Sequence, residues 1–331
     1  MPMRIPSSIL HHGSCSHGTL VDAFSERFYG RHGMKAGFIG TGSIGAPLAG
    51  NILDQEKSLV VFDVNPEATR GLAEKQASVA QSPAQVADQA EVVFACMPSI
   101  ESFRAVVSGA DGVLAGDKMA TFVNLGTMGT EAVGEIEAAL SAKGIDMLDS
   151  PITGGVQRAK AGDITVVSSG PQEVFDRVEP LLQSFARDIH YVGGKIGQAQ
   201  LVKIANNIMS FTNLVIASEA MVMAAKGGVD SEKALAVFNA GSGQNRATLL
   251  TMPNFILKHD ANMEAPMHII EKDAMLWRME AERLDVPQNV AAATYQTLRQ
   301  ALAMGLHDGD LSDIVQVVER AADFKLPKTR G

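Results

Sequence analysis

Residues 35–53 read KAGFIGTGSIGAPLAGNIL, and the rest of the chain can be organised around them. An apolar run (Gly37, Phe38, Ile39) feeds glycines at Gly40, Gly42 and Gly45, and apolar residues at helical spacing (Ile44, Leu48, Ile52, Leu53) follow. This is G-x-G-x-x-G set between a strand and a helix. The first glycine allows a tight turn, the second lets backbone approach a pyrophosphate, and the third lets the helix pack close to the strand. Free N–H groups and the positive end of the helix dipole then face the phosphates, which makes Gly40, Thr41, Gly42, Ser43, Ile44 and Gly45 the candidate contacts. Such a motif is weak alone, because glycine turns also join strands to helices without any ligand. The following run SLVVFDV reads as the next strand and ends in Asp63, eighteen residues beyond Gly45. An acid there accepts both hydroxyls of an adenosine ribose and repels a 2′-phosphate. These residues point to a dinucleotide, with NAD preferred over NADP.

The bulk properties narrow the class. A chain of 331 residues has room for two domains and a substantial core. A net charge of −9 gives no basic excess to neutralise phosphates, which argues against nucleic acid or an anionic membrane as partner. Two distant cysteines, Cys15 and Cys96, provide no disulfide framework and suit a reducing cytoplasm. The longest apolar stretch, 208–225, contains Asn213, Ser218 and Glu219, so it reads as a buried helix rather than a membrane span.

Residues 1–33 differ from the rest. His11, His12, Cys15 and His17 lack the spacing of a metal site, and the arm reads as histidine-rich and disordered, with no metal expected. A targeting segment and an upstream extension before Met34 remain open alternatives. From 34 to 196 short apolar strands alternate with helices. Strands are expected at 36–39, 59–63, 92–96, 121–124, 146–149, 164–168 and 189–192, forming a parallel sheet covered on both faces. Their C-terminal ends carry the glycine turn, Asp63, Met97-Pro98, Thr127 and the turn 150–155, which should line one crevice. From 197 to 326 helical periodicity takes over, with helices expected at 198–226, 231–239, 247–254, 268–284, 289–304 and 311–322. The fold class is therefore an α/β Rossmann-type doubly wound sheet followed by an all-α C-terminal domain, with 327–331 a tail. So many Ala, Met and Leu in the second half call for a partner surface, and a homodimer or homotetramer is the economical answer.

Three places could carry chemistry. Thr153-Gly154-Gly155 offers a hydroxyl and two unhindered N–H groups suited to a carboxylate, or else forms an ordinary glycine turn whose threonine caps a helix. Lys203 and Asn207, spaced i, i+4, project from one helix face ringed by Leu201, Ile204, Ile208 and Phe211. A lysine desolvated there can act as acid and base; a snorkelling surface lysine is the alternative. Lys272-Asp273 reads by itself as a surface ion pair. Cys96 reads as a buried small hydrophobe rather than a nucleophile.

Together these stretches resemble the β-hydroxyacid dehydrogenase family over roughly residues 34–325. GFIGTGSIGAPLAGNIL is similar to its glycine fingerprint, DSPITGGVQRAKAGDITVVSSG to its substrate loop, GKIGQAQLVKIANN to its catalytic helix and EKDAM to its late Lys-Asp. The resemblance implies that Thr153, Gly154 and Gly155 bind a substrate carboxylate, that Lys203 is the catalytic lysine and that Asn207 binds substrate. It also places Lys272 near the nicotinamide, and Met97, Pro98 and Thr127 among further cofactor contacts. The implied activity is NAD-dependent hydride transfer to or from a small 3-hydroxy acid or semialdehyde. Alternatives are an NADP-linked reductase of a larger semialdehyde or an imine, and a catalytically silent module. Departures are Thr153 where the family has Ser, Gly126 in place of a hydroxyl, and Ala199 in place of Gly. They bear on the substrate, for which Arg246 and Lys258 are the nominated side chains.

Overall fold

The computed structural model describes residues 34–329; the histidine-rich arm lies outside them. Strand β1 (Ala36–Ile39) runs into the glycine turn and helix α1 (Gly45–Glu56), followed by β2 (Val60–Phe62), α2 (Arg70–Glu74), β3 (Ser78–Val79) and α3 (Pro83–Ala87). Then come β4 (Val92–Ala95), α4 (Ile100–Ser108), β5 (Thr121–Asn124), α5 (Thr130–Ser141), β6 (Asp146–Asp149), β7 (Ile152–Thr153), α6 (Gly155–Lys160), β8 (Ile164–Ser169), α7 (Gln172–Leu182) and β9 (Ala186–Gly193). No strand follows. The second half holds α8 (Gln198–Lys226), α9 (Ser231–Ala240), a π-helix (Ala247–Ile256), α10 (Met267–Arg283), α11 (Asn289–Ala303) and α12 (Val315–Ala321).

The first six strands are parallel in the order β3-β2-β1-β4-β5-β6. The order reverses between β1 and β4, and a crevice opens there beyond the strand ends. The expectation of a wholly parallel sheet needs correction. β8 runs antiparallel to β6 through Asp149↔Ser169 and antiparallel to β7, while β9 is parallel to β8. The unexpected β7 is two residues long and β3 likewise, too short to carry periodicity. Phe38, Phe94, Phe103, Phe122 and Phe185 are fully buried, with Phe38 stacked on Phe94.

Helix α8 organises the second half. Its 29 residues span about 43 Å at 1.5 Å per residue, and thirteen of them are buried. Ile208, Phe211, Leu214, Met221 and Val222 join Met252, Met267, Leu298 and Ile314 in one core. The helix ends at Gly227-Gly228, where Gly228 takes φ +88°, a conformation glycine adopts without strain.

The fingerprint glycines serve different needs. A Cβ on Gly45 would sit 1.8 Å from the Gly40 carbonyl oxygen, so close helix–strand packing forbids one. At Gly42 a Cβ would meet nothing within 4 Å. Gly45→Ala should therefore lower unfolding free energy in urea by about 1–3 kcal/mol, the usual penalty for overpacking. Gly42→Ala should leave it within about 0.5 kcal/mol or slightly raise it. Equal losses at the two positions would refute this division.

Candidate active site

The glycine turn is built from the end of β1. Gly40 has φ +88° and donates its N–H to Phe62 O at 2.9 Å, and a Cβ there would lie 2.3 Å from Met97 Cε. The Asp63 carboxylate stands over this turn, accepting from the Thr41 N–H through Oδ2 and from the Asn65 N–H through Oδ1, both at 2.8 Å. Those bonds hold the carboxylate at the sheet edge and leave lone pairs for another donor. Thr41 Oγ1 is buried with no partner, beside the open space at Gly42. Unused backbone space and an orphan hydroxyl at a strand-to-helix turn fit a phosphate-bearing dinucleotide.

Met97 carries the contacts onward. Besides meeting Gly40, it places its carbonyl 3.2 Å from where a Gly126 Cβ would be. The next residue, Thr127, accepts the Lys272 ammonium on its carbonyl at 2.7 Å. Lys272 Nζ also lies 2.9 Å from Asp273 Oδ1, with both side chains largely buried. Asp273 Oδ2 accepts from Asn207 Nδ2 at 2.7 Å, and Asn207 Oδ1 accepts from Lys203 Nζ at 2.9 Å. A continuous series of contacts thus connects the glycine turn to the Lys203 amine.

Lys203 is 8% exposed. Burial lowers its pKa from 10.5 to about 8; Asp273 pulls the other way, and Lys272 pushes in the same direction as burial. This is a different environment from that of a snorkelling lysine, whose amine stays in water. The pair Lys272-Asp273 is likewise no surface pair. Two ammoniums face one carboxylate, so with Lys203 protonated the cluster carries one uncompensated positive charge.

The remaining nominated residues are placed as follows. Gly154 and Gly155 take φ +147° and +76°, and Thr153 belongs to β7, paired with Thr165, rather than capping α6, whose N-cap Gly154 has no side-chain cap. Asp149, at the end of β6 and four residues before Thr153, bonds to Gln200 of the lysine helix. Pro98 is exposed at the end of β4, and Arg246 and Lys258 are exposed. Cys96 is only partly buried as a residue, yet burial of its thiol pushes the pKa up to about 12 and holds it protonated.

Sequence reading missed a second polar group behind the site. Gln200, fully buried one turn before Lys203, donates to Asp149 Oδ1 at 2.7 Å and to Gly126 O at 3.1 Å. It accepts from the N–H groups of Met128 at 2.8 Å and Gly129 at 3.1 Å. Asn124 Nδ2 donates to the same Asp149 oxygen at 2.9 Å. Burial raises the Asp149 pKa to about 6 against the effect of these donors. An acid closing the strand DMLD, directly after the buried Met147 and Leu148, was the available signal.

Two family models span most of the described residues. Residues 35–193 match the NAD binding domain of 6-phosphogluconate dehydrogenase, and 197–318 match the NAD-binding domain of NADP-dependent 3-hydroxyisobutyrate dehydrogenase. The 3-hydroxyisobutyrate dehydrogenase of Pseudomonas aeruginosa is 34% identical over 65% of this chain and 72% of its own length. The 3-sulfolactaldehyde reductase of Escherichia coli is 30% identical over 86% and 96%. A crystal structure of 3-hydroxyisobutyrate dehydrogenase from Salmonella typhimurium, 26% identical, superposes with a TM-score of 0.77 over 86% of this chain and 99% of that one. With a dinucleotide fingerprint, a buried lysine beyond it and relatives of this kind, the chain belongs to the β-hydroxyacid dehydrogenase family of NAD(P)-binding oxidoreductases.

Proposed function

We propose that the chain interconverts a small 3-hydroxy acid and its semialdehyde, with NAD as cofactor and Lys203 as general acid and base. The observation that carries this reading is the buried Lys203–Asn207–Asp273–Lys272 cluster joined to the glycine turn. Its surplus positive charge favours an anionic substrate, and Thr153, Gly154 and Gly155 offer a hydroxyl and backbone N–H groups for the carboxylate. Gly40, Thr41, Gly42, Ser43, Ile44, Gly45 and Asp63, with Met97, Pro98, Thr127 and Lys272, would hold NAD, which would supply the hydride chemistry. The chain's own contribution is the proton. Neutral Lys203 takes the hydroxyl proton during oxidation, and its ammonium returns one during reduction and stabilises negative charge on that oxygen. Asn207 has its amide turned by Asp273, which fixes its carbonyl on Lys203 and orients the amine. Residues 34–196 hold the cofactor in this reading, and 197–326 hold the substrate and form contacts between copies. The relatives act on 3-hydroxyisobutyrate and 3-sulfolactaldehyde, both small and acidic, which supports the substrate class. A lysine at 203 disfavours the imine reductase alternative, because an aspartate or tyrosine often fills that place in the imine reductases this scaffold resembles.

Preference for NAD over NADP rests on Asp63. Its carboxylate would meet a 2′-phosphate with like charge. Val64 and Asn65 follow it, and the first arginine beyond, Arg70, is paired with Glu67 at 2.7 Å. Among the described residues, the first cation beyond Asp63 is thus engaged with a carboxylate rather than free to reward the phosphate.

A homo-oligomer is supported by the outer side of α8. Val202, Met209, Ile216 and Met223 are 45%, 66%, 52% and 72% exposed and recur every seventh residue. Asn206, Asn213 and Ala220 alternate with them, giving an uncharged seam flanked by the exposed Glu219, with the spacing of helix–helix pairing. The seam is nearly symmetric about Asn213, as a two-fold contact between copies of one helix requires. A chain confined to the cytoplasm fits the free thiol at Cys96.

Lys203→Ala should lower turnover by at least about 10²-fold, the scale of a lost acid–base group, while NADH still binds by fluorescence titration. With the native lysine, oxidation should rise with pH through about 8 as Lys203 loses its proton, and reduction should fall through the same range. Coincident pH profiles in the two directions would sink the assignment. Asp63→Ala should shrink the NAD/NADP ratio of kcat/KM about tenfold or more, roughly 1.4 kcal/mol of lost discrimination; a native preference for NADP would overturn the role given to Asp63. Paired substitutions Met209→Glu and Ile216→Glu should convert an oligomer to monomer in light scattering with helical circular dichroism retained. A native monomer at micromolar concentration would remove the seam's role.

A further inference from the structure

Two helices start where the sheet half meets the helical half, and neither brings its own N-cap. Helix α5 begins after Gly129, with φ +83°, and α8 begins after Gly197, with φ +91°; neither glycine has a side chain to offer the first N–H groups. Unpaired buried N–H groups are costly, so partners must come from elsewhere. Across the junction they do. At α5, Gln200 accepts from Met128 and Gly129, and Glu280 Oε1 accepts from the Thr130 N–H at 2.7 Å and from its hydroxyl at 2.6 Å. At α8, Ser169 Oγ at the end of β8 accepts from the Ala199 N–H at 2.9 Å. Each half caps a helix of the other.

Gln200 occupies the centre of this exchange. Both of its donor hydrogens and both lone pairs of its oxygen are used, and every partner lies in the sheet half. The loop it holds, 126–129, presents the Thr127 carbonyl to Lys272. Its own helix carries Lys203 three residues later, about 4.5 Å further along the axis. One rigid amide therefore sets the distance between the loop at the nicotinamide end and the amine. Glu280, secured by Arg283 at 2.7 Å, fixes the same loop at its far end.

We propose that Gln200 and Glu280 are positioning residues that hold Lys203 in register with the cofactor loop 126–129 through reciprocal capping. The proposal rests on the dehydrogenase reading for its kinetic part. A displaced amine costs rate far more than binding, since about 1 Å of misplacement is worth on the order of 10²-fold. Cofactor affinity, set at the glycine turn and Asp63, should be little changed.

The test uses the full-length protein and Gln200→Met, which keeps volume and removes the hydrogen bonds. Turnover should fall about 10²-fold while the NADH dissociation constant and substrate KM stay within about threefold. The deuterium isotope effect on kcat should rise, and backbone amides of 126–131 should exchange hydrogen faster. Glu280→Gln, which retains acceptors for Thr130, should keep most of the rate, and Glu280→Met should not. Turnover within twofold of native in folded Gln200→Met overturns the proposal. So does a parallel loss of thermal midpoint, NADH affinity and rate, or a failure of both methionine variants to fold, because either assigns these bonds to stability alone. If the native protein turns over no 3-hydroxy acid, the dehydrogenase reading fails and the exchange measurement decides alone. Faster exchange confined to 126–131 then supports the coupling, and unchanged exchange overturns it.

Discussion

The constraint on which the site depends is the burial of one ammonium group. A charged lysine removed from water is strongly unfavourable unless partners replace the solvent. Lys203 receives one neutral acceptor, Asn207, and the field of one carboxylate, Asp273, which it does not touch directly. That is too little to keep it fully protonated and enough to keep it inside. An amine poised near neutrality is the chemical result. Lys272 adds a second positive charge, which Thr127 and Asp273 tether. Removing Asp273 would leave both amines without their common counter-charge, so this acid underpins the cluster although it offers no obvious chemistry itself.

The same economy explains why the cluster can sit between two halves of different architecture. A Rossmann sheet presents its ligands at strand ends, while a helical bundle presents side chains from helix faces, and nothing intrinsic to either fixes their separation. Here the backbone groups left over at each glycine-started helix demand partners, and those partners stand on the opposite half. Hydrogen bonds with narrow angular tolerance are better rulers than apolar contacts, which allow sliding. The polar group formed by Asn124, Asp149 and Gln200 is fully buried and so escapes competition from water.

What could be read from the sequence follows the range over which each signal acts. The bounds of β1, β5, β6 and α8 are local matters of periodicity and punctuation, and residues 36–39, 121–124, 146–149 and 198–226 are where the structure has them. The antiparallel turn of β8 was not legible, because a buried strand has the same apolar run in either direction. Nor was the π-helix at Ala247–Ile256, whose composition suits an ordinary helix. The Lys203–Asn207 spacing was visible, but the charge that offsets the burial of Lys203 comes from Asp273, sixty-six residues from Asn207. Gln200 and Asp149 are fifty-one residues apart, and Glu280 and Thr130 are one hundred and fifty apart. Pairings of that kind leave no trace in a single sequence; family resemblance supplied the roles, and the fold supplied the partners.

Helix α8 brings these lines together. It is long and apolar enough to cross a membrane by length and composition. A helix apolar on all sides must have neighbours on all sides. One side of α8 meets the core of the helical half through Phe211, Leu214 and Met221, and its first turn meets the sheet half through Ala199 and Gln200. The remaining side is the seam of Val202, Met209, Ile216 and Met223, which begins beside the lysine itself. If that seam meets a second copy, as proposed, the helix that carries the proton is clamped from three directions. Its low amphipathicity is then a consequence of its position, with exposed charge on the helix confined to Glu219 and the terminal Lys226.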